Sequence, residues 1–509
     1  VFDRVSQDAH FMSEVDLDKR EKYYTVLFWV FCFVLFAKIG WYDLRAYLPL
    51  DERRQFITLS FVGWVIAQGL VWLPVSIQML RSFNFVAALW CAFIAPYFIL
   101  GILNGNTNAE LIRDIVRYAL PLGYLLFGLV IFRHVSLKNI FIAMLVTLSF
   151  WIVARTIIHL MITERTLRYG LQWEVFLPSL LIPLAYYARG WKLLAVLALF
   201  IAAMWIFMLG QTRASLLGVA ASTSMCGLFA FYYLRKNFKS AIILGCVSLF
   251  AVIIALAPMF TGLGGKARLN AAAALNETTF IESNDGTAVQ NNTAEDDIGE
   301  TTQEPQTDKA RLNAAAALDE TTFIESNDGT AVQNNTAEKD MGETTQEPQT
   351  DAETALLQWE QAIARGGRSL DTRITEANYF LALTNESVVS MILGTGAGTK
   401  QSVSIPGGKE RIVRAPHVTY AMVFYRHGYV VGTAMIVFLL LYGVRQHLRQ
   451  LDGSREERLL AMGFLAYRAS IAVIAFLHQG IIDDPIFFLS IAMAIALGEK
   501  ANQTLKQNA

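Results

Sequence analysis

FNFVAALWCAFIAPYFILGIL, residues 83–103, carries no charged side chain from end to end. As a helix rising ~1.5 Å per residue it is about 30 Å long, the depth of a bilayer's hydrocarbon core. Eleven further runs share its texture: 24–42, 56–80, 118–132, 139–163, 171–188, 191–210, 213–234, 239–260, 425–444, 459–478 and 481–499. A soluble domain cannot hide so many, and none alternates with the period of a barrel strand, so helices are predicted. The expected fold is an all-α polytopic membrane protein of about twelve transmembrane helices, with one large loop, 261–416, between the ninth and tenth.

Composition agrees. The 509-residue chain is 54% hydrophobic and 17% charged, and its 33 Phe and 10 Trp suit lipid-facing helices and interfacial belts. A formal net charge of −1 without a long basic block gives no sign of a nucleic-acid partner. Cys32, Cys91, Cys226 and Cys246 all fall in apolar runs and read as small apolar side chains. The polar, charged first twenty residues predict no cleavable signal peptide.

Basic residues at the span ends set the expected orientation. Lys19, Arg20 and Lys22 place the tail 1–23 in the cytoplasm, and Arg81, Arg133, Lys138, Arg189, Lys192, Arg235, Arg445, Arg449, Arg455 and Arg458 fall on the same side. Helices one to nine then occupy 24–260, the loop 261–416 is external, helices ten to twelve occupy 417–499, and 500–509 is a cytoplasmic tail. Arg113, Arg117, Arg165, Arg168 and Arg213 break this pattern by lying at the external side, and Arg155 sits within a span. Arginine there is costly and needs a carboxylate, carbonyl or anion beside it. Asp114 and Glu164 are candidate partners, and guanidinium forks suit phosphate oxygens. Arg155 and His159, at i and i+4, read as a buried polar pair.

Residues 266–308 and 309–351 are 43-residue copies that differ only at Asn276/Asp319, Asp296/Lys339 and Ile298/Met341. Two copies do not make a solenoid, so the repeat reads as a tandem duplication in a tolerant loop. Beyond it, 352–365 and 370–387 are predicted amphipathic helices, with Leu356, Leu357, Trp359 and Ile363 on one apolar face and Tyr379, Phe380 and Leu383 on the other. The glycine-rich 393–399, LGTGAGT, follows no strand and lacks the Lys-Ser/Thr of a phosphate loop, so a turn is predicted.

Three stretches together resemble the O-antigen ligase and polymerase superfamily of bacterial membrane glycosyltransferases. They are FMLGQTRASLLG at 207–218, Arg373 at the head of a helix followed by LGTGAG at 393–398, and APHVTY at 415–420 with Gly428 and Gly432. The resemblance covers roughly 165 to 499. Gln211-Thr212 and Val418 depart from the usual Thr-x-Ser and His-Asn or His-Ser patterns, and no Trp follows Arg373.

The resemblance implies a GT-C-like enzyme of the bacterial inner membrane. It would transfer a glycan from undecaprenyl pyrophosphate to an acceptor hydroxyl at the periplasmic face, by direct inverting displacement and without metal or cofactor. Its partners would be the lipid-linked donor, a lipid or glycan acceptor and membrane lipids. Fixed cations would stabilise charge building on the pyrophosphate, and imidazole suits a base for a hydroxyl near neutral pH. The catalytic candidates are His417, Arg213 and Arg373; the candidate pyrophosphate ligands are Arg117, Arg168 and Arg368. Each has a plainer reading: Arg213 as an interfacial anchor, His417 as a polar residue at a helix start, and Arg373 as a solvated arginine rivalled by Arg365 and Arg368. His427 reads as structural, while His478 with Asp483 and Asp484 is a lesser candidate for a proton or acceptor site. Ligase onto a lipid A core and polymerase stay open, and a transporter or flippase is the rival from another class.

Overall fold

The computed structural model describes residues 2–44, 50–161, 172–209, 213–234, 237–261, 351–364, 370–405, 409–476, 482 and 484–507. The duplicated segment, apart from Asp351, lies outside them. The described chain is helical apart from one β-hairpin. Among the described residues ten α-helices precede the loop: α1 (Phe2–Leu44), α2 (Leu50–Trp72), α3 (Ser76–Arg81), α4 (Phe85–Leu103), α5 (Asn108–His134), α6 (Leu137–Met161), α7 (Phe176–Tyr187), α8 (Trp191–Leu209), α9 (Arg213–Leu234) and α10 (Phe238–Thr261). The loop's described part holds α11 (Asp351–Ala364), α12 (Leu370–Asn385), α13 (Val388–Leu393), β1 (Gln401–Ile405) and β2 (Lys409–Val413). Four described helices follow: α14 (Thr419–Leu441), α15 (Val444–Gln450), α16 (Arg455–Ile474) and α17 (Pro485–Gln507).

Among the described residues six helical stretches are long and apolar enough to cross a membrane: Asp18–Ile39, Thr58–Arg81, Phe85–Leu103, Asn108–His134, Leu137–Ile158 and Thr419–Gln450. Their outward faces stay apolar. Leu59, Ile66 and Leu70 on α2, Ile99, Ile102 and Leu103 on α4, and Val430, Val437 and Leu441 on α14 are all exposed. Water would penalise so wide an apolar surface, whereas hydrocarbon would not.

Local chemistry explains several element ends. Asn84 caps α4 by accepting from the backbone N–H groups of Val86 and Ala87, each at 3.1 Å. Ser454 and Glu457 form a reciprocal capping box on α16. Asp484 caps α17 through the N–H groups of Ile486 and Phe487, and its other oxygen accepts from the Tyr467 hydroxyl. It is thereby a buried structural group, while His478 and Asp483 lie outside the described residues.

Two features of the helices have clear causes. The span expected from 118 begins as helix at Asn108, because the charges of its first turns are neutralised sideways rather than left facing lipid. And α16 is enclosed by α7, α9 and α17, so it tolerates Arg468 deep inside. That guanidinium donates to the carbonyls of Tyr442 (2.5 Å) and Leu440 (3.4 Å), at the negative end of α14.

The described part of the loop packs as a small cap on the head of α14. Ala352, Trp359 and Ala362 bury one face of α11 against Tyr379 and Phe380 of α12, and Leu357, expected on that face, is 44% exposed. Val403 and Val413 of the hairpin and Tyr425 of α14 complete the cluster. The hairpin is antiparallel, with Gln401 opposite Val413 and Ile405 opposite Lys409.

Between α13 and β1 the glycine-rich stretch turns tightly. Gly394, Gly396 and Gly398 all have positive φ. A Cβ at Gly394 would lie 2.2 Å from the Arg426 backbone, and one at Gly428, where α14 breaks at φ 74°, would lie 2.3 Å from the backbone of Ile392. The two segments therefore cross in direct backbone contact. Thr395 N–H donates to the Tyr425 carbonyl (2.9 Å), Ala397 N–H to Tyr97 (2.9 Å), and Asn104 and Asn106 donate to the carbonyls of Thr395 and Ala397. The cap is thus riveted to α4 and α14.

Candidate active site

β2 ends at Val413, and Arg414-Ala415-Pro416 carries the chain to His417 just ahead of α14. Thr419 N–H donates to the Ala475 carbonyl (3.0 Å) and the Tyr420 hydroxyl to Ala472 (3.0 Å), fixing this entry against the end of α16. His417 faces α12. Its Nδ1 lies 2.8 Å from Glu376 Oε2 and 3.0 Å from Oε1, and its backbone N–H donates to Oε2 at 2.9 Å. The carboxylate is 4% exposed and the imidazole 36%. A carboxylate accepting from Nδ1–H fixes the tautomer that leaves the Nε2 lone pair available. Nε2 itself has no protein partner among the described residues.

Arg373 stands one turn before Glu376 on α12, three residues away and on a neighbouring face. Burial of its largely covered guanidinium lowers its pKa from the ordinary arginine value, and the Glu376 carboxylate opposes that shift. One helix therefore supplies both a cation and the group that orients the histidine. Of the expected catalytic residues, His417 is held by Glu376, which the sequence reading had not singled out, and Arg373 shares that carboxylate's helix. Arg213 is the first residue of α9, and its side chain is outside what the structure describes. Arg168 and Arg368 also lie outside the described residues.

Arg117 is on α5, half-buried, with its charge felt at Tyr118. One turn earlier, Asp114 is 2% exposed. It accepts from the Tyr97 hydroxyl (2.5 Å) and from Gly398 N–H (3.0 Å), and it lies 3.9 Å from Arg113 Nε and 3.7 Å from Arg426 Nη1. Arg113 thus has the carboxylate expected of an arginine at this end. Arg155 is paired inside the bundle with Glu174, both essentially buried. The side chain of His159 and all of Glu164 lie outside the described residues.

His427 is fully buried. Its Nε2 is 2.6 Å from the Tyr118 hydroxyl and its ring packs on Tyr97, so it sits inside the α4–α5–α14 contact, away from any surface. Among the described residues no three His, Cys, Asp or Glu side chains gather as metal ligands.

A half-exposed imidazole held by a buried carboxylate, with an arginine on the same helix, can take a proton from a hydroxyl while a cation steadies a neighbouring anion. Searches with the chain find no matching family model and no matching curated protein.

Proposed function

We propose that the protein is a membrane glycosyltransferase that moves a glycan from undecaprenyl pyrophosphate onto an acceptor hydroxyl. The observation that carries this is the Glu376–His417 pair with Arg373 one turn away. His417 Nε2 takes the acceptor proton as the oxygen attacks the anomeric carbon. The sugar–phosphate bond breaks, its electron pair leaves with the diphosphate, and Arg373 and Arg213 stabilise the charge that builds there. Attack opposite the leaving group inverts the anomeric centre. A twelve-helix chain of the bacterial inner membrane, with the loop in the periplasm, puts this site where a lipid diphosphate headgroup lies. The apolar outward faces of α2, α4 and α14 support the membrane setting.

O-antigen ligation onto a lipid A core or similar acceptor is the leading form of the activity, and polymerisation of the glycan is the alternative within the class. A knockout separates them. Polymer left on the carrier with none on lipid A marks a ligase; single repeat units on lipid A mark a polymerase. His417→Ala and Arg213→Ala are expected to abolish surface polysaccharide at unchanged protein level. Normal glycan from both variants rejects the proposal. Substrate flux in liposomes without glycosidic bond formation would favour a transporter instead.

A further inference from the structure

One short helix of the cap buries none of its residues. α13 reads VVSMIL, and four of its side chains are exposed, from Val388 at 70% to Met391 at 39%. Water penalises such a cluster. The residues leading into it, Asn385, Glu386 and Ser387, are polar and exposed, and Ser387 closes a capping box with Ser390.

The depth of α13 follows from what its C-terminal end and the next turn touch. A Cβ on Gly428 would meet the Ile392 backbone at 2.3 Å, and one on Gly396 would meet Gly101 N at 2.7 Å and Leu100 Cβ at 2.8 Å. His427, beside Gly428, packs its ring on Tyr97 with centroids 4.7 Å apart. Tyr97 lies six residues before Leu103, the end of α4, which is about 9 Å along the axis at ~1.5 Å per residue. Over that same length α4 exposes Ile99, Ile102 and Leu103, and α14 exposes Val430 two residues beyond the crossing. The apolar side chains of α13 therefore continue the lipid-facing surface of α4 and α14 instead of standing above it.

The turn after α13 is built for the same depth. Irregular backbone within hydrocarbon must be buried in protein and have its polar groups satisfied there. Gly394, Gly396, Ala397 and Gly398 are all buried. The N–H groups of Gly394, Thr395 and Ala397 donate to the carbonyls of Ser390, Tyr425 and Tyr97, and that of Gly398 donates to Asp114. Asn104 and Asn106 serve the carbonyls of Thr395 and Ala397. At the head of α13 the Tyr429 hydroxyl donates to Asn385 (3.0 Å), the posture of an interfacial tyrosine with an apolar ring and a wet tip.

We infer that α13 dips into the bilayer on the cap's side, with Val388, Val389, Met391 and Ile392 among the acyl chains. α12 runs into α13 through Glu386 and Ser387 alone, so this anchor also fixes the depth of Glu376 and of the histidine it holds. The anchor presupposes the membrane setting and is independent of any glycosyl transfer.

The test oxidises the native full chain, in nanodiscs, with hydroxyl radicals generated in the water, and locates the products by peptide mass spectrometry. Leu357 on α11 is as exposed as the α13 side chains, at 44%, and should be labelled. Val388, Val389 and Met391 should stay at background, as should Ile102 and Val430, even though methionine sulfur oxidises readily. With a diazirine placed in the lipid acyl chain, irradiation should attach lipid to 388–393. Labelling of Val389 and Met391 to the level of Leu357, while Ile102 and Val430 stay protected, overturns the anchor and leaves the membrane setting intact. Labelling of Ile102 and Val430 as well removes the membrane setting and the anchor with it. Protection of α13 without any lipid adduct also rejects the anchor, because a protein surface such as a second copy of the chain then covers it.

Discussion

Glu376→Gln isolates the contribution of one buried carboxylate. In the native site Oε2 receives both the His417 backbone N–H and Nδ1, at 2.9 and 2.8 Å. A glutamine oxygen in that place can still accept both, so the loop entry should keep its course. Two things are lost. The bonds become neutral rather than charge-assisted, and the amide –NH2 falls where Oε1 lies, 3.0 Å from Nδ1, a donor facing a donor. A charge-assisted bond exceeds a neutral one by about 1 kcal/mol. Two such bonds, discounted because the imidazole is 36% exposed, give about 1–2 kcal/mol, or roughly a tenfold loss of rate. His417→Ala removes the base outright and should cost about 10²- to 10⁴-fold. The assay is transfer from a lipid diphosphate-linked glycan, with kcat and KM measured separately. If Glu376 acts through His417, the double variant is no slower than His417→Ala alone. A further tenfold loss in the double variant, or full activity in Glu376→Gln, refutes the reasoning.

Other parts of the structure make separate demands. Gly428→Ala forces a positive-φ position, costing about 1–2 kcal/mol, and drives a Cβ to 2.3 Å from Ile392. The variant should lose its monodisperse peak on size-exclusion chromatography at temperatures the wild type survives. Glu174→Gln removes the carboxylate charge paired with buried Arg155 and should destabilise by about 3–5 kcal/mol, while Arg155→Met with Glu174→Leu should recover most of the melting temperature. Tyr379, packed between Trp359 and Phe380, is pushed by burial from the ordinary 10 up to about 12. The fold thereby favours the neutral phenol; that stability is complete below pH 10 and is lost as pH rises towards 12. The alkaline phenolate absorbance of wild type minus Tyr379→Phe should accordingly show a step near pH 12, and a step near 10 would contradict the packing.

Much of the helical layout can be read directly from apolar runs, because burial in hydrocarbon leaves an uninterrupted signature. The run 83–103 became α4 almost residue for residue. The hairpin has a sequence signal of its own: Pro-Gly-Gly at 406–408 separates two short alternating stretches, a pattern that predicts paired strands on either side. Glu376 is harder to see. Its one mark is a charge on the face of α12 that also carries Thr372, Tyr379 and Phe380, an expensive position unless something pairs it. His417 and Arg373 announced themselves by residue type and position, but their shared partner lies 41 residues upstream of the histidine, and only the fold brings the two together. Arg414 and Arg426 looked like an ordinary loop arginine and an arginine near a span end. Their carboxylate partners, Glu110 and Asp114, lie roughly 300 residues earlier in the chain.

The most direct test is transfer by the purified protein in liposomes supplied with an undecaprenyl-diphosphate-linked glycan and an acceptor lipid. The account predicts a new glycosidic bond with one undecaprenyl diphosphate released per transfer, and its loss in His417→Ala. Equal product from His417→Ala, or movement of the lipid-linked glycan across the bilayer with no bond formed, would contradict it.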